Sequence, residues 1–118
     1  MLPRSRQWLT DMADLVERLE TKRAGRSLED YLRDDDLRDI VERNLEKIGE
    51  LTIRLRDHDP ATVARIDGFQ KIIGLRNLIS HDYESVSAER LWGFLPDVLP
   101  ALAADVRNLL DDEDAPGS

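Results

Sequence analysis

Apolar residues recur along most of the chain at spacings of three and four, a pattern typical of helices that bury one face. The clearest run covers about five helical turns, with Arg, Glu, Asp and Lys on its other faces, and comprises Leu37, Ile40, Val41, Leu45, Ile48, Leu51 and Leu55. Similar runs begin at Trp8, Ile66 and Leu91. No segment alternates with period two, so the pattern predicts an all-α fold, an antiparallel, up-and-down bundle of four to five helices.

Several residues mark where these helices begin and end. Gly25 follows the first run and is expected to end it, and Ser27 with Asp30 three residues later resembles a capping box for a short next helix. Asp59 followed by Pro60 has the form of a helix start, with Asp as N-cap and Pro at the first position.

Glycines and prolines also lie inside the predicted helices. Glycine at position 49 lowers helix stability by about 1 kcal/mol relative to alanine, so we expect another backbone to approach closely there. Gly68 predicts a break before the fourth run, and Ser87 is placed to cap the last helix. Pro96 and Pro100 fall within that last helix, where each removes a backbone hydrogen bond and predicts a kink or an interruption.

Length and charge limit what the chain can do. With 118 residues it predicts a single helical-bundle domain over 1–110, followed by an acidic, disordered tail over 111–118. Cysteine is absent, which excludes thiolate chemistry, and no apolar run suits a membrane span, so we expect a cytoplasmic protein. The net charge of −8 argues against non-specific coating of nucleic acid, so any such contact must be local.

The residues with the most chemical potential lie in one stretch that runs Gly-Leu-Arg-Asn-Leu-Ile-Ser-His-Asp-Tyr from Gly74 to Tyr83. The guanidinium of Arg76 is a permanent cation that suits phosphate oxygens, and His81 carries an imidazole, the side chain that most often acts as an acid or base near neutral pH. Together with Asn77 they form a candidate site for handling a phosphodiester.

Helix geometry separates the two main members of this stretch. At 100° per residue, Arg76 and His81 lie about 140° apart on one helix. Converging on one phosphate therefore requires an early helix end or a second copy of the motif across a symmetric dimer. Ile73 is an apolar residue among motif side chains that point away from the core. A mixed apolar and polar helix face of this kind favours contact with a partner protein.

Each of these residues also has a purely structural interpretation. Arg76 could cover the edge of the core with its aliphatic stem, and His81 could cap the end of its helix. Tyr83 could pack its ring on the core with its hydroxyl in water. His58 lies between two aspartates, but three consecutive residues cannot readily close a coordination sphere, so we interpret it as part of a loop turn.

The motif resembles the Arg, four residues, His, one residue, Tyr signature of HEPN domains, specifically the HepT-like toxins that pair with minimal nucleotidyltransferases. The stretch from Arg43 to Glu50 is similar to the central helix of that family, and Leu91-Trp92 followed by Leu99-Pro100 is similar to its closing helix. The resemblance covers roughly residues 28 to 110. Leu51-Thr52 in place of small residues, and the aspartates near position 35, depart from the family pattern.

This resemblance implies a HEPN-like homodimer that acts as a metal-independent endoribonuclease toxin of a toxin–antitoxin module of type II or type VII kind. Arg76 and His81 would be catalytic, with Asn77 in support, and no metal or other cofactor would be needed. The expected partners are RNA and a cognate nucleotidyltransferase antitoxin that attaches AMP to Tyr83. The alternative is a non-catalytic subunit that binds substrate or partner for such a transferase, which the acidic balance of the chain favours.

Overall fold

The computed structural model describes residues 1–81 and 87–114, and for His81, Glu113 and Asp114 it describes the backbone alone. The described residues contain no strand, which confirms the all-α prediction. They form six helices rather than four or five, because two are very short: α1 (Pro3–Arg23), α2 (Leu28–Arg33), α3 (Asp35–His58), α4 (Pro60–Val63), α5 (Phe69–His81) and α6 (Ala88–Asp114). Among the described helices, none combines the length and the hydropathy that a membrane span requires.

The predicted boundary between the first two helices is confirmed. α1 ends at Arg23, and Gly25 then adopts a positive φ of 73°, a conformation that favours glycine. Ser27 begins α2 with a complete capping box, in which its hydroxyl accepts from the Asp30 amide at 3.1 Å and its own amide donates to the Asp30 carboxylate at 2.9 Å. These bonds from Ser27 lower the pKa of Asp30.

Asp59 is an N-cap residue, as predicted, but the helix it begins is the single turn α4 rather than α5. Its buried carboxylate accepts hydrogen bonds from the hydroxyls of Ser5 at 2.6 Å and Thr62 at 2.7 Å and from the Leu2 amide at 3.1 Å. Burial by itself raises the pKa of Asp59, but these bonds outweigh it and lower the pKa to about 2. The start of α1 is thereby attached to α4.

The predictions at Gly68 and Ser87 are confirmed, whereas the interruption predicted in α6 does not occur. Gly68 has a φ of 75° and precedes the first residue of α5, and the Ser87 hydroxyl accepts from the Arg90 amide at the start of α6. α6 is continuous through Pro96 and Pro100.

One continuous core joins the helices. α3 lies centrally and packs against both α1 and α5, while α1 also packs against α6. Tyr31 of α2 is completely buried, and its ring stacks on Trp92 of α6 with 4.7 Å between centroids. His58, predicted to lie in a loop, is instead the last residue of α3, and its ring lies 5.5 Å from that of Trp8.

Candidate active site

Arg76 lies on α5 at a point of close contact with α3, directly against Gly49. A β-carbon at position 49 would lie 2.2 Å from the Arg76 Cβ and 2.6 Å from its Cγ, distances that real side chains do not adopt. A close approach at Gly49 was expected and is found: the Arg76 Cα would lie 3.5 Å from that β-carbon, but the nearest atoms belong to the side-chain stem of Arg76 and not to its backbone. The Arg76 side chain is left 23% exposed.

The head of Arg76 is held by two oxygens. Its Nη2 donates to Glu50 Oε1 at 3.3 Å, and its Nη1 donates to the side-chain oxygen of Asn77 at the same distance. Its Nε is buried and has no hydrogen-bond partner among the described residues. Because a guanidinium carries five N–H donors, these two contacts orient the group while leaving donors for a phosphate.

A second contact between α3 and α5 repeats one turn away. The Ser80 hydroxyl donates to Glu46 Oε1 at 3.1 Å, so Glu46 faces Ser80 as Glu50 faces Arg76. Residues four apart share a helix face. The residue number rises from Arg76 to Ser80 on α5 while it falls from Glu50 to Glu46 on α3. α3 and α5 are therefore antiparallel here, and the two contacts fix their register.

The partner surface predicted from Ile73 has to be corrected. Ile73 is buried, and it lies three residues before Arg76 and seven before Ser80, on the side of α5 that faces α3. Asn77 and Ser80 are exposed. The exposed apolar residue of α5 is instead Leu78, which is 47% exposed.

The structure brings Arg76 and Asn77 into direct contact but describes less of the other two motif residues. His81 is the last residue of α5, and its side chain lies outside the described part of the structure. Tyr83 falls within 82–86, also outside the described residues. Within the described residues, no group of three or more histidines and carboxylates is arranged to hold a metal ion.

Sequence reasoning missed the acidic side of the site. Glu46 and Glu50 are four residues apart and flank Gly49, whose cost inside a helix already indicated a close contact. That combination could have identified the face of α3 that meets the motif helix. It could not have identified Arg76 and Ser80 as the particular partners.

Comparison with known proteins identifies the family of the chain. Residues 12–109 match the family described as "Ribonuclease HepT-like". The chain belongs to the HepT-like ribonuclease family. The match extends from within α1 nearly to the end of α6, so it contains α3, α5 and the contacts between Arg76, Glu50 and Asn77.

A curated relative agrees with membership of the HepT-like family. A protein of Caldanaerobacter subterraneus subsp. tengcongensis, provisionally described as an RNase, is 28% identical over 99 residues, which are 84% of each chain. No solved structure gives a significant match. Membership therefore rests on the family match.

Proposed function

We propose that the protein is a metal-independent endoribonuclease and the toxin of a two-component toxin–antitoxin module. The observation that supports this most directly is Arg76, a cation fixed by α3 and Asn77 within a chain of the HepT-like ribonuclease family. A guanidinium held in place in this way binds a phosphodiester with little further loss of side-chain entropy.

The chemistry proposed for the motif needs only side chains of the protein and the RNA itself. The 2′-hydroxyl of a ribose attacks the adjacent phosphorus, and the bond from phosphorus to the 5′-oxygen breaks, so one proton leaves the nucleophile and one joins the leaving group. Arg76 stabilises the charge that develops on the phosphate oxygens. His81 transfers a proton at the 2′- or the 5′-oxygen, and Asn77 supports the phosphate by hydrogen bonding.

We further propose that two copies of the chain share the site. Arg76 and residue 81 occupy diverging positions on the wheel of α5, so one helix does not readily bring both to one phosphate. A two-fold dimer with the motifs facing each other would pair Arg76 of one copy with His81 of the other. Mixed dimers of Arg76→Ala and His81→Ala chains should then recover part of the activity that each variant loses by itself.

The direct test is cleavage of single-stranded RNA in the presence of a chelator. Wild-type protein should cut, while Arg76→Ala and His81→Ala should lose at least about a hundredfold in rate, the usual scale for removing a catalytic proton-transfer group or a charge-stabilising donor. Arg107→Ala, at an exposed position of α6, is the matched control and should retain activity. Cleavage that survives both motif substitutions would refute the assignment.

Neutralisation is proposed to act through Tyr83. A cognate minimal nucleotidyltransferase would transfer AMP from ATP to its hydroxyl, which loses its proton while pyrophosphate leaves. The attached AMP adds negative charge and bulk near the end of the motif and competes with RNA for Arg76. Intact-mass measurement after co-expression should show added AMP on wild type and none on Tyr83→Phe. Neutralisation of Tyr83→Phe as complete as that of wild type would show that complex formation is sufficient.

The second candidate is a non-catalytic subunit that binds a nucleotidyltransferase. It is favoured by the net charge of −8 and by two carboxylates that repel phosphate, Glu50 in contact with Arg76 and Glu46 in contact with Ser80 one turn away. A stable complex with the transferase, together with no RNA cleavage and no growth arrest by the free protein, would select this function.

A further inference from the structure

A separate groove lies between α5 and α6, away from the face of α5 that contacts α3. It has a volume of about 600 Å³, within the range of small-molecule sites. Its walls are mainly apolar with two cations at the edge, and the described lining residues are Lys71, Gly74, Leu75, Leu78, Ser87, Arg90, Leu91 and Phe94. Arg76 is not among them, so the groove is distinct from the phosphate-binding site proposed above.

Gly74 keeps one wall of this groove open. A β-carbon built at Gly74 would meet no atom within 4 Å, whereas one at Gly49 would collide with Arg76. Packing therefore does not require glycine at position 74, although glycine lowers helix stability relative to alanine. Packing does not explain the glycine at position 74, and this glycine lines a concave apolar surface. We therefore interpret the open space beside it as room for a ligand.

The two cations are available to an anion. Lys71 places its Nζ 5.3 Å from the centre of the Phe94 ring, and neither Lys71 nor Arg90 forms an ion pair with any described residue. In this acidic chain several other arginines do pair with carboxylates, among them Arg38 and Arg65. The N-terminal end of α6 also lies at this groove, because Ser87, the residue before α6, lines it. The helix dipole there favours negative charge.

We propose that this groove binds a nucleotide, with the base against Leu75, Leu78 and Phe94 and the phosphate near Lys71 and Arg90. A flat heterocycle matches the apolar walls, and a phosphate matches the two cations, which form no ion pair with a described residue. The proposal rests on the proposed ribonuclease function and extends it. The groove would hold either a base of the RNA near the cut or a free nucleotide such as AMP.

Proximity to the motif is consistent with that role. Leu78 precedes His81 by three residues on α5, and Arg76 lies on the other side of the same helix, about one helix diameter of 10 Å away. An RNA strand can cross that distance within a few nucleotides. A base held in the groove would therefore limit how RNA lies relative to Arg76.

Glycine substitutions give a test in which the folded state is preserved. Gly74→Leu fills the groove with a side chain that has open space around its β-carbon, and leucine favours helix more than glycine does. Gly93→Leu is the matched control, since Gly93 lies in α6, also has open space at its β-carbon and does not line the groove. Both variants should melt at or above the temperature of wild type.

Binding is measured by calorimetric titration of the full chain with AMP, with inorganic phosphate, and with a short single-stranded RNA whose 2′-hydroxyls are methylated so that the protein cannot cut it. We expect AMP or RNA to bind wild type and Gly93→Leu equally, and Gly74→Leu at least about tenfold more weakly. Lys71→Gln with Arg90→Gln should weaken the same ligand and make its affinity less dependent on salt.

The outcomes separate the two sources of nucleotide. Loss of AMP binding in Gly74→Leu with an unchanged KM for RNA supports a free-nucleotide site, and a raised KM supports an RNA-base site. Equal affinity of Gly74→Leu and Gly93→Leu for both ligands overturns the proposal. So does wild type that binds neither ligand, or that binds inorganic phosphate as tightly as AMP.

The two proposals can fail independently. RNA cleavage that requires Arg76, with nucleotide affinity unaffected by Gly74→Leu, would leave the ribonuclease function standing and remove the groove site. Nucleotide binding that is sensitive to Gly74→Leu, in a protein that cuts no RNA, would support the groove site and remove the ribonuclease function.

Discussion

Gly49 of α3 leaves the space that the stem of Arg76 occupies on α5, and a β-carbon at position 49 would lie 2.2 Å from the Arg76 Cβ. Beside this contact, Glu50 accepts a hydrogen bond from the head of the same arginine. Gly49 therefore allows the stem of Arg76 to lie close to α3, and Glu50, the next residue, orients its guanidinium group.

Gly49→Ala should destabilise the protein although alanine favours helix. The added methyl group must push α5 away from α3, and such overpacking costs about 1 to 3 kcal/mol. RNA cleavage should fall as well, since Arg76 moves with α5. Urea unfolding measures the first effect, and Gly93→Ala, with open space at its β-carbon, is the control and should be neutral or stabilising. A Gly49→Ala protein as stable as Gly93→Ala would contradict the close packing.

Substitutions at Glu50 should separate the orientation of Arg76 from its electrostatics. Glu50→Gln keeps an acceptor for the guanidinium but removes a negative charge near the phosphate, so we expect kcat to be retained and KM to fall. Glu50→Ala removes the acceptor, and kcat should fall about tenfold or more, because small displacements of catalytic groups are costly. The measurement is steady-state cleavage of RNA by each variant.

Global stability should change little in both Glu50 variants. The ion pair with Arg76 is half exposed on the Glu50 side, and such pairs contribute about 1 kcal/mol or less. Glu17→Gln, an exposed position on α1, controls for the change in net charge. Equal kcat for Glu50→Ala and wild type would rule out a positioning role.

Stability should fall in acid partly through Asp59. Its pKa is about 2 in the folded protein against an ordinary value of 3.8, so folding favours the ionised form. The resulting stabilisation is fully present above about pH 4 and is lost as the pH falls through about 2; its size is on the order of 2 kcal/mol. Denaturant unfolding of wild type and Asp59→Asn between neutral pH and pH 2 measures it.

Asp59→Asn should be less stable than wild type at neutral pH, and the difference should shrink in acid. The same substitution at the exposed Asp57 controls for loss of a carboxylate. A constant difference between Asp59→Asn and wild type at every pH would show that shape, and not charge, accounts for the effect.

Tyr31→Phe should not destabilise the protein. The Tyr31 ring is completely buried against Trp92, but its hydroxyl has no hydrogen-bond partner among the described residues, and burial raises its pKa. Removing an unsatisfied buried hydroxyl is neutral or stabilises by about 1 kcal/mol. Thermal unfolding checks this, with Tyr31→Leu as the variant that loses the stacked ring and should melt lower.

Most of the helices could be predicted because their signals are local. Gly25, Ser27, Gly68 and Ser87 each act on residues within one turn, so their roles do not depend on the rest of the fold. The exceptions involve residues whose surroundings come from elsewhere. Pro96 and Pro100 predicted a kink or an interruption of α6; the interruption does not occur, because packing along such a long helix outweighs the local cost of proline.

The sequence indicated which side chains could form the candidate site but not how they are arranged. Arg76 and Asn77 were selected from their chemistry and spacing, and the structure places them in contact with each other. The burial of Ile73 was not predicted, because helix periodicity gives the direction of a residue but does not say which neighbouring helix covers it.

By itself, the sequence determined an all-α protein with a motif that indicates phosphodiester chemistry, since helix periodicity, caps and side-chain chemistry are local properties. Only the tertiary structure decided that Glu50, 26 residues before Arg76, accepts its hydrogen bond, and that Gly74 lines a groove instead of a packed contact. Those outcomes depend on how α3, α5 and α6 pack, and packing sums many weak contacts between residues far apart in the chain.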